Sequence, residues 1–362
     1  MKTRTFVPLA LLAVLAACEN PAGKGGEETG PPDPRLSAAQ RVVDVAGGFS
    51  TTCALTEAGS TFCWGENRFG EFGDGTRTPS ATPVRAAGGM TFAAITGTRS
   101  TSRLCGITPA GEGWCMGYNL NGELGDGTST DRLEPARVVG GVQWKEIATS
   151  YHTCGLAVDG RAFCWGSTLG GALGWEGPGN AALPHEVNGG LRFASISVGL
   201  QFSCGLTAAG QAYCWGWGIM LGNGSEQQRI DPTPVAGGRT FTALSTGEEH
   251  ACALTAEGEA WCWGKSEPPF GRVRLVPERV PHDGRPLRKL AAGSTRTCAL
   301  DDRGRAYCWT AGATQPVPTD VRFAGLDAAR DGACGYTEGG AVYCWTFDFT
   351  RPTPERVEIP VS

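Results

Sequence analysis

The stretch that decides the architecture is Cys53-Ala-Leu-Thr-Glu-Ala-Gly-Ser-Thr-Phe-Cys63, because six more copies of its frame follow it. Cys105 and Cys115, Cys154 and Cys164, Cys204 and Cys214, Cys252 and Cys262, Cys298 and Cys308, and Cys334 and Cys344 are also ten residues apart. In every copy a glycine stands six residues after the first cysteine: Gly59, Gly111, Gly160, Gly210, Gly258, Gly304 and Gly340. First cysteines are separated by 52, 49, 50, 48, 46 and 36 residues, a period that marks a propeller or solenoid made of one repeated unit. The chain is read as seven copies of one four-stranded unit, with turn signals at the spacing expected of all-β chains.

The register of the cysteine hairpin follows from its odd loop. Centring the turn on Ala58 leaves three loop residues, a length commonly closed by a type I turn and a left-handed glycine, and Gly59 holds that last position. Counting outward pairs Thr56 with Ser60, Leu55 with Thr61, Ala54 with Phe62 and Cys53 with Cys63. The cysteines fall on a non-hydrogen-bonded pair, whose Cα atoms lie about 4.5 Å apart, close enough for a disulfide. Each pair is expected to bridge its own hairpin, worth roughly 3 kcal/mol in the chain-entropy account. Zinc sites use shorter cysteine spacings and commonly histidine, and there are only 4 histidines here.

The residue before the second cysteine is aromatic in every copy (Phe62, Trp114, Phe163, Tyr213, Trp261, Tyr307, Tyr343). The residue after it is Trp in six and Met116 in the other. Apolar residues on both faces of the hairpin are what blades stacked round an axis require, so these rings are read as core. The expectation is an all-β, seven-bladed propeller of four-stranded antiparallel blades over residues 41–358, with one intra-hairpin disulfide per blade and a short tail at 359–362.

The amino terminus carries Lys2 and Arg4, an apolar run from Phe6 to Leu15, and then Leu15-Ala16-Ala17-Cys18. Such a run is too short to cross a bilayer and reads as an export signal over residues 1–17. Leu-Ala-Ala-Cys resembles the bacterial lipobox, which implies lipidation of Cys18 and anchorage at the cell envelope; Glu19 after it favours an outer membrane. Residues 18–40, rich in Pro, Gly and Glu, are expected to be a disordered tether reaching about 60 Å when extended. An oxidising compartment agrees with fourteen paired cysteines.

Cys53 to Gly65, followed by Glu-Asn-Arg-Phe-Gly-Glu-Phe-Gly-Asp-Gly75, resembles the regulator of chromosome condensation repeat, with its aliphatic-Thr-x-x-Gly hairpin, Trp-Gly and Gly-Gln-Leu-Gly loop. Asn119 to Gly127 and Gly170 to Gly174 are further copies of that loop. Repeats six and seven depart from the pattern, with Thr310 and Thr346 after the tryptophan and the loop cut away. The resemblance implies a seven-bladed propeller. It lends no single function: members include a guanine nucleotide exchange factor, a plant ultraviolet-B receptor and a secreted β-lactamase inhibitor. Export removes the chain from cytosolic GTPases, and a net charge of -5 offers no basic face for nucleic acid.

Catalytic chemistry finds little support. His152 and His250 share one repeat position, where the family commonly has a structural histidine; His185 and His282 have no partnered nucleophile motif. Asp74-Gly-Thr76 and Asp126-Gly-Thr128 lack the alternating carboxylates of a calcium loop and read as turn-stabilising aspartates. No cofactor, metal or catalytic residue is assigned. Nine of the 11 tryptophans sit in repeated slots, and Trp175 and Trp217 are left over, in the third-to-fourth-strand loops of repeats three and four. With Met220, Phe69 and Tyr118 they form a candidate binding patch on one rim. The sequence points to a surface-tethered module recognising a protein partner; an envelope glycan, or an enzyme or inhibitor role, are the alternatives. Nothing in it demands an oligomer.

Overall fold

The computed structural model describes residues 36–48, 50–97, 102–177, 179–265, 272–310, 314–347 and 353–360. Seven four-stranded antiparallel sheets follow one another along the chain, each a meander in sequence order. Blade one consists of β1 (Val42–Gly47), β2 (Thr51–Thr56), β3 (Thr61–Gly65) and β4 (Ser80–Arg85). First strands of the later blades begin at Ala94, Trp144, Ser195, Ala243, Leu287 and Gly325, and each packs on the next in a closed ring. These are the blades of a seven-bladed propeller, with the first strands innermost. Fourth strands lie outermost and carry prolines such as Pro83, Pro135, Pro184 and Pro277, as an edge strand tolerates.

The hairpin has the expected register: Cys53 faces Cys63, Ala54 faces Phe62 and Leu55 faces Thr61. Thr56 N–H donates to Ser60 O at 2.9 Å, and Gly59 takes φ 78°. Every expected disulfide is present within its own hairpin. Cys53 is joined to Cys63, Cys105 to Cys115, Cys154 to Cys164 and Cys204 to Cys214, each with Cα atoms 4.1 Å apart. Cys252 to Cys262, Cys298 to Cys308 and Cys334 to Cys344 have the same 4.1 Å separation.

The hairpin glycine has a second role. Its carbonyl accepts the N–H of the first aromatic or aliphatic residue of the next blade. The bonds are Phe92 to Gly59, Trp144 to Gly111, Phe193 to Gly160, Phe241 to Gly210, Leu287 to Gly258, Phe323 to Gly304 and finally Val42 to Gly340, all at 2.8–3.0 Å. The innermost strand edges are satisfied across blades as well. Asp327 Oδ2 accepts Gly47 N–H at 2.8 Å, Ser197 Oγ accepts Thr246 N–H at 3.0 Å, and Ser245 Oγ accepts Ala292 N–H at 3.0 Å. Unpaired strand edges are thereby removed from water and from other chains.

No strand is exchanged between the ends of the chain. The last strand, Glu355–Val357, pairs with Val342–Thr346 inside blade seven. Beside the Val42–Gly340 main-chain bond, the ring closes through side chains: Val42, Val45 and Phe62 of blade one pack with Cys334, Val342 and Ile359. Ile359, expected in a free tail, is therefore core. The segment expected as tether also ends earlier than Gln40. Ser37 O accepts the N–H of Gln40 and Arg41, and Gln40 Nε2 reaches Ile359 O at 3.4 Å. Cys18 and the rest of the amino-terminal segment lie outside the described residues.

Candidate interaction rim

The loops between third and fourth strands rise on one rim, and in blades one and two they are locked by the same short-range bonds. Asn67 Oδ1 accepts Phe72 N–H at 3.0 Å while its Nδ2 donates to Thr76 O at 3.3 Å and Thr78 O at 3.2 Å. Asp74 Oδ1 accepts both Thr76 N–H (2.9 Å) and Thr76 Oγ1 (2.8 Å). Asn119, Asp126 and Thr128 repeat this set. The aspartates act as turn locks, and no group of three or more His, Cys, Asp or Glu among the described residues is arranged to hold a metal.

Below the loops lies a buried ion pair, Arg103 with Glu123 at 3.5 Å, both side chains sealed from solvent. Arg103 also donates to Thr149 Oγ1 (2.7 Å), Ser150 O (2.8 Å) and Tyr118 O (3.1 Å), so it ties the second loop to blade three. Burial pulls the guanidinium below its ordinary range, against the opposing charge of Glu123.

His152 Nε2 lies 2.6 Å from Ser203 Oγ, and His250 Nε2 lies 2.8 Å from Thr297 Oγ1, each bridging to the following blade. Burial, helped by the charge of Arg103, pushes His152 down to about 3. Its imidazole is neutral at pH 7. A Ser–His pair also occurs in hydrolases, but His152 and Ser203 are 1% and 0% exposed, with no approach for a substrate. His185 stacks on Trp175, and His282 is held between Thr314 Oγ1 (2.6 Å) and Arg285 O (2.7 Å).

The five residues expected to form a patch are separated by the structure. Trp217 is 45% exposed on the rim. Met220 is 3% exposed and belongs to the core between blades four and five, because the turn Gly218–Met220 points it inward. Trp175 is half-buried, its ring 4.2 Å from His185 of its own blade and packed against the core. Phe69 and Tyr118 are half-buried and meet edge to face at 5.2 Å, joining the loops of blades one and two. Leu120, Leu169 and Tyr151, at 65%, 56% and 37% exposed, join Trp217 on the same rim and were not singled out by sequence. Leu120 and Leu169 occupy corresponding loop positions, the one signal that marks them. Gly170, next to Leu169, sits so close to Trp217 that a Cβ on it would lie 3.6 Å from Trp217 Cβ. Exposed apolar side chains thus stand on this rim in blades two, three and four.

Residues 42–71, 193–219 and 241–267 match the regulator of chromosome condensation (RCC1) repeat. The chain is 32% identical over 98 residues to the probable E3 ubiquitin-protein ligase HERC4 of Homo sapiens, covering 26% of this chain and 9% of the relative. It is 31% identical over 125 residues to the ultraviolet-B receptor UVR8 of Arabidopsis thaliana, covering 32% of this chain and 27% of the receptor. The match thus spans less than a third of either relative. Among solved structures, human WBSCR16 superposes with TM-score 0.71 at 16% identity, covering 81% of this chain and 86% of that one. Prp20p of Saccharomyces cerevisiae gives TM-score 0.70 at 16% identity, covering 89% and 88%. These structures share the propeller fold.

Proposed function

We propose that this chain is an exported, lipid-anchored propeller that binds a protein partner at the cell envelope through the rim of blades two to four. The observation that carries the reading is Trp217, an indole 45% exposed on a loop next to the turn that carries Leu169, with Tyr151 and Leu120 exposed on the same rim. Large aromatic side chains ringed by apolar neighbours are what anchor protein interfaces. Similar propellers are interaction scaffolds: Prp20p binds Gsp1p and histones, and it has been seen with Kap60. Those partners belong to that protein; here the rim chemistry, not the family, argues for a partner. A binding role also suits a fold whose Ser–His pair is sealed and whose loop aspartates are spent on turns.

The test pairs the full chain with a Trp217→Ala/Leu169→Ala variant of unchanged melting temperature in crosslinking at the intact cell surface. A partner crosslinked to the parent and reduced at least tenfold in the variant supports the reading, and equal crosslinking refutes the rim. Anchorage is tested separately. Cys18→Ala is expected to move the protein from the membrane to the soluble fraction, and unchanged fractionation would refute lipid attachment.

A further inference from the structure

Asparagine followed by glycine occurs at Asn121-Gly122, Asn188-Gly189 and Asn223-Gly224. In such a pair the glycine nitrogen, with no side chain of its own to hinder it, can attack the side-chain amide of the asparagine before it. The attack requires a free N–H and a backbone that can turn toward Cγ. A glycine N–H already held in a hydrogen bond must first break that bond, which slows the reaction by about tenfold. The fold therefore decides which of these pairs reacts.

Gly122 N–H donates to Asn119 O at 3.1 Å, and a Cβ on Gly122 would lie 2.5 Å from the Ala182 main chain. The Asn121 amide is held at both ends, its Nδ2 donating to Glu123 Oε1 at 2.9 Å and its Oδ1 accepting from Asn180 Nδ2 at 2.7 Å. Gly224 N–H donates to Leu275 O of blade five at 2.7 Å, and Asn223 Oδ1 accepts Ser225 N–H at 2.9 Å. The remaining pair stands apart. Asn188, Gly189 and Gly190 are exposed on the connection from blade three to blade four, and a Cβ on either glycine would meet nothing within 4 Å. No acceptor among the described residues takes the Gly189 N–H. The main-chain N–H of Asn188 donates to Gly174 O at 2.8 Å, upstream of the atoms that react. One bond restrains its side chain, from Nδ2 to Asp231 Oδ1 on the outer strand of blade four at 2.9 Å.

We propose that Asn188 is the site of spontaneous deamidation in this protein, and that the product unties blade three from the outer strand of blade four. Gly189 N attacks Asn188 Cγ and a C–N bond forms. The Cγ–Nδ2 bond breaks, and Nδ2 leaves as ammonia with the proton that Gly189 N gives up. Water then adds to one carbonyl of the five-membered imide and opens that C–N bond. The result is aspartate, or isoaspartate, in which the chain continues through the former side-chain carbon. No electrons are exchanged: water enters, ammonia departs and one negative charge is added. In either product the donor to Asp231 is gone and a carboxylate stands beside it, so a hydrogen bond gives way to like-charge repulsion. This site goes beyond the rim of blades two to four, and either can fail without the other.

The test incubates the purified full chain, disulfides intact, in neutral buffer and maps the amide-to-acid mass gain and isoaspartate in each peptide, with digestion in mild acid so that neither forms during handling. Asn188 is expected to convert at least tenfold faster than Asn121 or Asn223. In the reduced chain unfolded in guanidinium, the fold no longer distinguishes the pairs, and they are expected to convert at one common rate. A folded chain in which Asn121 or Asn223 keeps pace with Asn188 overturns the site. So does an unfolded chain that preserves the native preference, since the fold would not be its cause. Asn188→Asp, checked for an unchanged melting temperature, reproduces the aspartate product. Hydrogen exchange at Arg229–Pro234 is expected to quicken roughly threefold in this variant, as loss of one exposed hydrogen bond does, with exchange in blade seven unchanged. Exchange at Arg229–Pro234 equal to the parent's overturns the untying of the two blades.

Discussion

Gly210 shows how much one residue carries. It sits at φ 77°, where a side chain is strained, and a Cβ there would lie 2.9 Å from Phe241 O, beside the bond that joins blades four and five. Gly210→Ala is expected to cost about 1–3 kcal/mol and to lower the melting temperature by a few degrees; an unchanged melt would refute the double role. Sequence spacing revealed the left-handed turn at this glycine but not its carbonyl's partner, because the next blade is distant in sequence. Glu146 offers a second residue-scale test. Its carboxylate, crowded among inner strands and accepting Ile196 N–H at 3.2 Å, is raised by burial to about 7. The folded state therefore keeps a proton that the unfolded state gives up near its ordinary value. This contribution to stability is full below about pH 4.5 and is lost as pH rises toward 7. Glu146→Gln keeps the acceptor and is expected to remove that fall, gaining on the order of 1–3 kcal/mol at pH 8 and little at pH 4. Denaturant melts at the two pH values measure the difference, and equal gains at both would count against burial of the carboxylate as the cause.

Hairpins and loops are the elements where sequence reading succeeded and then stopped. The disulfide register was legible because two cysteines, a glycine and an odd loop length leave few pairings. The inward turn of Met220 was not, since nothing in Trp-Gly-Ile-Met-Leu distinguishes the exposed Trp217 from the buried methionine three residues on; which side faces the core depends on the next blade. Leu124 illustrates what the loops contribute. It is fully buried between blades two and three, and Leu124→Ala is expected to cost about 2–5 kcal/mol, read as a lower unfolding midpoint with all disulfides intact. The blades also differ in how far their disulfides are shielded. Cys154 and Cys164 are 0% exposed, whereas Cys334 is 9% exposed and Cys344 is half-buried, both lining a cavity between blades seven and one. Graded reduction with alkylation and mass mapping should label Cys334 and Cys344 before Cys154 and Cys164. The opposite order would show that access through the cavity does not govern the reaction.

At the scale of the whole molecule, the count of seven repeats was legible from cysteines alone, but the way the ring shuts was not. Closure depends on Val42 N–H meeting Gly340 O, on Asp327 Oδ2 meeting Gly47 N–H, and on Ile359 filling a space beside Val42, contacts between opposite ends of the chain. Removing residues 325–362 is expected to abolish the single cooperative heat-absorption peak, because Val42, Val45 and Phe62 lose their cover and the inner edge of blade one is left open. A sharp transition within a few degrees of the parent would mean that six blades close by themselves. The contiguity of each blade has one more consequence, for how the protein is made. Every covalent link joins residues ten positions apart, so as the polypeptide emerges from its amino terminus each thiol meets its own partner before the next pair arrives. Oxidation can keep pace with synthesis, module by module, and an isomerase has little to correct.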